Sequence, residues 1–462
     1  MNLSWINKFR LPSSIHQPGL PAPGLYHYVR QNGCEHSRIH LRIDPDGNGI
    51  LLVNASRILH LNPTAATMAY LSLENTPTSE AIQQIRRHYQ VSQSQAAQDY
   101  AQLSAQLAEL IRPDGACPVC DLDLEISPPF GFQPSAPYRM DLALTYRCNN
   151  DCAHCYNARP RSYPELSTNE WKSIIDQLWQ IGIPHVVFTG GEPTLRDDLP
   201  ELIAHAERNG QITGLNTNAR RLSNKDFVDR LVEAGLDHVQ ITLESHDSTI
   251  HDCMVAGNGA WKQSVAGLRN ALGTRLFVMT NTTLLQENSK YLQETLDFLA
   301  ETGVPTIGLN ALIYAGRGKV VGTGLPESAL ESLLDMARTQ TEKHGQRLIW
   351  YTPTQYCDFD PMQLELGVKG CTAALYNMCV EPDGGVIPCQ SYYQQLGNLL
   401  KDNWDSIWNH DLAIWLRERK YTPEKCTGCQ LIHECGGGCP LTLEQTEMSV
   451  LTPRLMRIES ES

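Results

Sequence analysis

Between Arg139 and Leu312, six strand-like runs alternate with helical stretches, and this pattern limits the fold more than any other feature of the chain. The runs are MDLALTY from Met140, HVVFTG from His185, QITGLNT from Gln211, HVQITLE from His238, RLFVMTN from Arg275 and TIGLNAL from Thr306. The helical stretch after the first run opens on Ser167-Thr168-Asn169-Glu170, the spacing of a capping box. Six βα units in series predict a parallel sheet curled into a partial (β/α)6 barrel, with right-handed crossovers placing the helices outside. Chemistry in such barrels sits at the C-terminal ends of the strands. The distinctive polar residues of this chain follow its strands.

The remainder divides around that pattern. With 462 residues, two or three domains are expected. Residues 1–24 read as a flexible lead-in. Residues 25–112 read as an α+β unit: RIHLRI (38–43) alternates apolar and polar residues, and GILLVNASRILHL (49–61) reads as a hairpin turning near Asn54, Ala55 and Ser56. Three helices follow, from Thr64, Ser79 and Ser92, the first preceded by Asn62 and Pro63 as start signals. Pro113, Asp114 and Gly115 open a linker, 113–137. The barrel region is 138–325. A bridging helix, the strand RLIWYTP from Arg347 and a cysteine-rich region occupy 326–445, and 446–462 reads as a loose tail.

The composition is globular, 41% hydrophobic and 19% charged. A net charge of −14 without any Lys- or Arg-rich run argues against a nucleic-acid partner. No apolar run reaches the ~20 residues that a bilayer span needs, and the first residues lack the apolar core of a signal peptide. A cytoplasmic location is therefore expected. The 15 cysteines should then be reduced, which favours metal binding over disulfides.

The cysteines fall in two groups. After the first barrel strand comes CNNDCAHC, with Cys148, Cys152 and Cys155 spaced CxxxCxxC. Three thiolates on one loop can hold three corners of a cubane cluster and leave the fourth iron open to a ligand, whereas a structural zinc site wants four ligands. The next strand ends in TGGEP, where Gly190 and Gly191 allow the backbone to approach a ligand and Glu192 can accept hydrogen bonds from an ammonium group.

Over roughly residues 139–320 these features resemble the radical S-adenosylmethionine (SAM) superfamily, in which a three-cysteine loop is followed by a GGEP strand. The resemblance implies a [4Fe–4S] cluster on Cys148, Cys152 and Cys155, with SAM chelating the open iron. It places Gly190, Gly191 and Glu192 at the amino end of SAM. The reduced cluster passes an electron to the sulfonium, and the resulting 5′-deoxyadenosyl radical takes a hydrogen atom from an unactivated carbon. His154 stands where the family usually has an aromatic residue, and Tyr156 follows the third cysteine. Asn216-Thr217-Asn218 and Thr242-Leu243-Glu244-Ser245 lie where the family contacts ribose and methionine, so Asn218 and Glu244 are cofactor-binding candidates. Arg317, in YAGRG, is a candidate for the SAM carboxylate or the substrate, with a solvated loop arginine as the plain reading.

The second group runs Cys371-x12-Gly384-x4-Cys389, then Cys426-x2-Cys429-x5-Cys435-x3-Cys439. Paired CxxC spacings can also form zinc ribbons. In detail the series resembles a SPASM domain, the auxiliary-cluster extension of peptide-modifying radical SAM enzymes, and implies one or two auxiliary [4Fe–4S] clusters. The resemblance assigns Cys371, Cys389 and Cys439 to one cluster and Cys426, Cys429 and Cys435 to the other. A further cysteine usual in the family is missing after Cys439. This leaves the second cluster with an open iron or with a carboxylate ligand such as Glu444 or Glu447. Cys357 is the candidate fourth ligand of the first, with Cys379 competing. The isolated Cys117-x2-Cys120 and the single Cys34 and Cys253 are read as having no metal role.

Residues 25–112, on their hairpin, LNPTAATMAYL (61–71) and three helices, resemble the PqqD-like RiPP recognition element, a winged-helix-like unit that takes a leader peptide as an added strand. Fused to a radical SAM enzyme, it implies a maturase of a ribosomally made precursor peptide, held close by its leader. The segment CTAALYNMCVEPDGGVIPCQSYY from Cys371 most resembles maturases of precursors with nitrogen-fixation-type leaders, some of which excise tyramine from a tyrosine–glycine site to leave a β-amino acid ketoamide. Relatives epimerise residues or build thioether or carbon–carbon crosslinks. The partners implied are the precursor peptide, an external electron donor such as a flavodoxin or ferredoxin and, in some systems, a small accessory protein; no nucleic acid or membrane is implied. The competing readings are a protein activator resembling sulfatase maturases and an Fe–S redox-sensing DNA-binding regulator.

Overall fold

The computed structural model describes residues 20–32, 35–54, 57–111, 134–157 and 159–445. Cys34, Cys117, Cys120 and Glu447 lie outside them, as do most of the lead-in, most of the linker and the tail. By its contacts the chain divides into two compact units, one of Met1–Tyr138 with Ile175–His185 and Asn209–Ile212, the other of Arg139–Ile174 with Val186–Arg208 and Thr213–Ser462.

The first unit opens with an antiparallel sheet in the order β1 (Gly24–Asn32), β2 (Glu35–Ile43), β3 (Gly49–Val53) and β4 (Arg57–Leu61). Strand β1, GLYHYVRQN, escapes the sequence reading because His, Arg and Gln interrupt its apolar alternation; pairing with β2, Leu25↔Arg42 to Tyr28↔Ile39, is what makes it a strand. Asn54 turns the β3–β4 hairpin with a positive φ of 50°, a conformation Asn tolerates well. Helices α1 (Pro63–Leu73), α2 (Thr78–His88) and α3 (Gln93–Ile111) follow. Asn62 caps α1 by accepting from Ala65 N–H, and Pro63 sits where a missing N–H costs nothing. Ile39, Leu41, Leu51 and Val53 meet Leu71, Ile85, Leu103 and Leu107 in one core.

The second unit is built on a ten-stranded mixed sheet. Its barrel strands are β5 (Arg139–Thr145), β6 (His185–Gly190), β7 (Ile212–Thr217), β8 (His238–Thr242), β9 (Phe277–Thr283) and β10 (Thr306–Asn310). β11 (Arg347–Trp350) continues past β10 in parallel. On the other side β12 (Asn377–Val380) pairs in parallel with β5, and β13 (Gly385–Ile387) and β14 (Gly397–Asn398) complete the sheet antiparallel. The fold is thus α/β, a partial (β/α)6 barrel with an N-terminal α+β portion and a C-terminal cysteine-rich region. The division drawn at 325/326 crosses a continuous sheet, because β12 belongs to the cysteine-rich region and hydrogen-bonds to the first barrel strand. β5 is buried along nearly its whole length, as expected of a strand covered on both faces.

Helix α4 (Thr168–Ile181) starts with the capping box in place: Ser167 N–H donates to Glu170 Oε2 at 2.8 Å, and Glu170 N–H to Ser167 Oγ at 3.4 Å. Helices α5 (Leu199–Asn209), α6 (Lys225–Glu233), α7 (Ser248–Val255), α8 (Ala260–Leu272) and α9 (Leu292–Thr302) occupy the other crossovers, and α10 (Leu330–Lys343) leads to β11. No helix among the described residues is long and apolar enough to cross a membrane.

Candidate active site

Strand β5 ends at Thr145 and hands the chain to the loop Cys148–Cys155. The end of β6 grips that exit backbone to backbone: Gly191 N–H donates to Thr145 O at 2.7 Å and Glu192 N–H to Arg147 O at 2.8 Å. There is no room for a side chain. A Cβ on Gly190 would lie 2.1 Å from Thr145 O, and one on Gly191 2.3 Å from Arg147 O. Gly190 also has φ +135°, where L side chains are strained. Both glycines thus allow the close approach of two strand ends.

The loop is held from two other barrel strand ends. Asp151 N–H donates to Val255 O and Ala153 N–H to Met254 O, which ties the loop to the end of α7 after β8. Arg317 N–H, after β10, donates to Cys155 O at 2.9 Å. The neighbouring Gly316 is again a matter of contact, since a Cβ there would lie 2.5 Å from Tyr156 O. The loop gathers its three thiols close enough for each to feel the others: burial first, then the neighbouring thiols and carboxylates, push Cys148 and Cys152 up. A buried thiol that resists ionisation on its own becomes a thiolate readily when a metal takes the proton's place.

Glu192 is fully buried, and its oxygens are already occupied. Oε1 accepts from Thr194 N–H, Thr194 Oγ1 and Thr217 Oγ1, and Oε2 from Asn218 N–H at 2.8 Å. Burial raises its pKa against the pull of these four bonds. The carboxylate therefore staples the end of β6 to the end of β7. Asn218 spans from there to the loop, donating to Asn149 Oδ1 at 2.7 Å, with its Nδ2 4.0 Å from Cys148 Sγ. Glu244, after β8, pairs with His154 Nε2 at 3.0 Å and accepts from Thr283 N–H at 2.9 Å. Burial works against the His154 imidazolium, but the Glu244 carboxylate outweighs it and raises the pKa. The Arg317 guanidinium pairs with Asp151 at 2.9 Å.

The C-terminal cysteines gather in two sets. Cys371, Cys389 and Cys439 come together; burial and one another's charge raise Cys371 and take Cys389 up to about 12, and burial raises Cys439. Cys426, Cys429 and Cys435 form a second set, and Cys357 joins this one, with Lys425 Nζ 3.8 Å from its sulfur. Cys357, expected as the fourth ligand of the first set, lies beside the second. Glu444, expected near the second, stands with Tyr392 beside Cys389 and Cys371. Spacing could not show this exchange, because Cys357 arrives by the path of the chain after β11 and Glu444 by the turn after Cys439. Cys379 is buried in β12, next to Asp141 and Glu381. Cys253 is exposed on α7. Among the described residues no three His, Cys, Asp or Glu converge on a single-ion point; a cubane asks for a wider spread, one thiolate for each iron it caps.

A cavity of about 340 Å³ is lined by Ala315, Gly316, Lys319, Ser391, Tyr392, Leu441 and Glu444. Tyr393, also on its wall, donates its hydroxyl to Tyr156 O.

Residues 142–299 match the radical SAM superfamily, and residues 371–430 match SPASM, an iron–sulfur cluster-binding domain. The Fe-coproporphyrin III synthase of Methanosarcina barkeri (strain Fusaro / DSM 804) is 30% identical over 325 residues, covering 64% of this chain and 81% of that protein. Among solved structures, Streptococcus suis SuiB bound to its precursor peptide SuiA aligns with a TM-score of 0.66 and 16% identity over 88% of this chain and 95% of that one. The enzyme anSMEcpe with bound AdoMet aligns at 0.53 and 16% identity over 70% and 100%. Fold and thiol groups together define an iron–sulfur radical enzyme. The chain belongs to the radical SAM superfamily, in its SPASM subfamily, with SAM, a [4Fe–4S] cluster and auxiliary Fe–S clusters as cofactors. The Cys148–Cys155 loop, with three neighbouring thiols, would hold the first cluster, and the two C-terminal cysteine sets the auxiliary ones.

Proposed function

We propose that this enzyme matures a ribosomally made precursor peptide. The observation that supports the reading most is the cavity lined by Gly316, whose neighbour Arg317 donates to the Cys155 carbonyl, and by Ser391 and Tyr392, which follow Cys389, at the small end of the ~300–1,000 Å³ usual for ligand sites. It suits one or two amino-acid side chains better than a folded protein or a large macrocycle. Once bound, the cluster and SAM supply a carbon-centred radical able to take hydrogen from an unactivated carbon. The chain's own residues do the rest. Tyr392 and Tyr393 offer aromatic walls, Lys319 and Glu444 offer opposite charges to a peptide's polar groups, and Ser391 offers a hydroxyl.

The first unit captures the leader in this reading. Its sheet ends on β1 and β4, where backbone groups can accept an added strand, and Ile58 on β4 is 45% exposed. SuiB, whose structure holds its precursor peptide, shares the fold. The specific reaction we favour is tyramine excision leaving a β-amino acid ketoamide, with Gly190, Gly191, Glu192, Asn218, Glu244 and Arg317 shaping the SAM site around the loop. The four-cysteine set with Cys357 and the three-cysteine set with Glu444 nearby hold the auxiliary clusters. Electrons come from an external flavodoxin or ferredoxin, and the protein works in the cytoplasm.

Reconstituted enzyme, reductant and SAM are incubated without oxygen with the peptide encoded beside the gene. Loss of tyramine less two hydrogens supports excision. Deuterium gained in heavy water without other change indicates an epimerase, and loss of two hydrogens a crosslink. An unchanged peptide that also gains no deuterium rejects the maturase reading. Undiminished turnover after deletion of residues 1–112 rejects leader capture and favours an activator of the anSMEcpe kind.

A second reading follows from the Methanosarcina relative, which is an Fe-coproporphyrin III synthase. A tetrapyrrole substrate would be revealed by a SAM-dependent change in the mass of added coproporphyrin. The size of the cavity disfavours it.

A further inference from the structure

Three arginines converge on the Cys148–Cys155 loop from three separate segments of the second unit. Arg161 donates to Cys148 O and Asn150 O, each at 2.6 Å, and to the Asp151 carboxylate at 2.6 Å. Arg220, in the turn after β7, donates to Asn149 O and to Asn150 Oδ1 at 2.8 Å, and is itself aimed by Gln263 at 2.6 Å. Arg317 donates to Asp151 O at 3.1 Å and pairs with the Asp151 carboxylate at 2.9 Å. Arg161 lies against the Cys148 thiol and Arg317 against the Cys155 thiol. The balancing charges are few. Asp151 is 62% exposed, Glu192 faces Cys148, and Glu244 faces Cys152 with His154 paired to it.

We propose that Arg161, Arg220 and Arg317 form a guanidinium collar that raises the reduction potential of the cluster ligated by this loop, besides fixing the loop's path. A cubane held by three thiolates becomes more negative when it accepts an electron. Fixed positive charge on the loop that would hold it would therefore stabilise the reduced form over the oxidised one. Arginine suits the task because its planar fork binds several carbonyls at once and keeps its charge at any working pH. The inference is independent of what the substrate is.

The test is an anaerobic redox titration of reconstituted protein, following by electron paramagnetic resonance the reduced-cluster signal that changes when SAM is added. At a set potential, R317Q should show severalfold less reduced cluster than the wild type. The R161Q/R317Q double variant should show about tenfold less, equivalent to ~59 mV for a one-electron couple. R317K, which keeps the charge, should stay near the wild type. D151N, which removes the carboxylate within the collar, should shift the ratio the opposite way, toward more reduced cluster. Gln variants that titrate with the wild type, or a D151N ratio that is unchanged or lowered, would overturn the proposal. If the double variant fails to retain iron, the R317K and D151N titrations still decide.

Discussion

The two ends of the second unit solve the same problem in opposite ways. The SAM-cluster loop takes three thiols from eight consecutive residues and then borrows rigidity from around the barrel: β6 through Gly190 and Gly191, the region after β8 through Val255, and the region after β10 through Gly316. The C-terminal region takes thiols from distant parts of the chain, Cys357 standing 68 residues before Lys425, whose ammonium it faces. A local motif fixes which ligands meet and leaves their support to the fold. A dispersed set leaves even the membership to the fold.

The comparison breaks first at the loop. Replacing Cys148, Cys152 or Cys155 by alanine should reduce SAM cleavage to background, measured as 5′-deoxyadenosine under strong reductant, because each thiolate would cap one iron of the cluster. Intact cleavage in C152A would remove the functional assignment of the loop. The dispersed sets should yield a smaller effect, readable as iron. C357A and C426A should each lower iron content, and the double variant should lose no more than one cluster's share, about four irons, because both belong to one set. C357A/C371A should lose close to twice that. Additive loss in C357A/C426A would return Cys357 to the other set. C379A should leave iron unchanged.

The legibility of the sequence follows the same line. CxxxCxxC and GGEP are short, so the barrel strands that carry them and the chemistry they imply were readable from spacing. The helix starts at Asn62 and Ser167 were readable because caps are local hydrogen bonds. β1 was not, since its strand character comes from β2 across the sheet. Arg161 and Arg220 gave no signal beyond being arginines near loops. RPR after the cysteines and AR after the Asn218 turn are ordinary surface sequences, and their meaning lies in carbonyls supplied by another segment. The partners of Glu192 were hidden for the same reason: Thr217 and Asn218 come from the next strand.

Gly190 sharpens the contrast between a ligand-facing and a packing role. G190A adds a Cβ within 2.1 Å of Thr145 O at a φ of +135°, so β6 must move off the end of β5. We expect a loss of about 3 kcal/mol in denaturant unfolding of the protein, without cofactor as well as with it. If the glycine served only the approach of SAM, the protein without cofactor would be as stable as the wild type.

The smallest effect probes His238, at the opposite end of β8 from Glu244. His238 opens β8, packed so closely on Gly214 that a Cβ there would lie 2.2 Å from its ring. Burial, with the nearby Arg139 charge, lowers its pKa to about 4. Its folded value lies below the unfolded ~6.5, so the unfolded chain binds the extra proton between pH 4 and 6.5. The stability this neutral histidine contributes is complete above pH 6.5 and is lost as pH falls toward 4. From pH 7.5 to 6 the loss is about 0.8 kcal/mol, and by pH 5 about 2 kcal/mol. H238N should flatten that part of the denaturant-stability profile. Because His238 is far in sequence from every cluster cysteine, the flattening should be the same with iron loaded and without it. A pH response that appeared only in the loaded protein would tie the barrel floor to the clusters and undo the separation between a rigid scaffold and its metal-bearing loops.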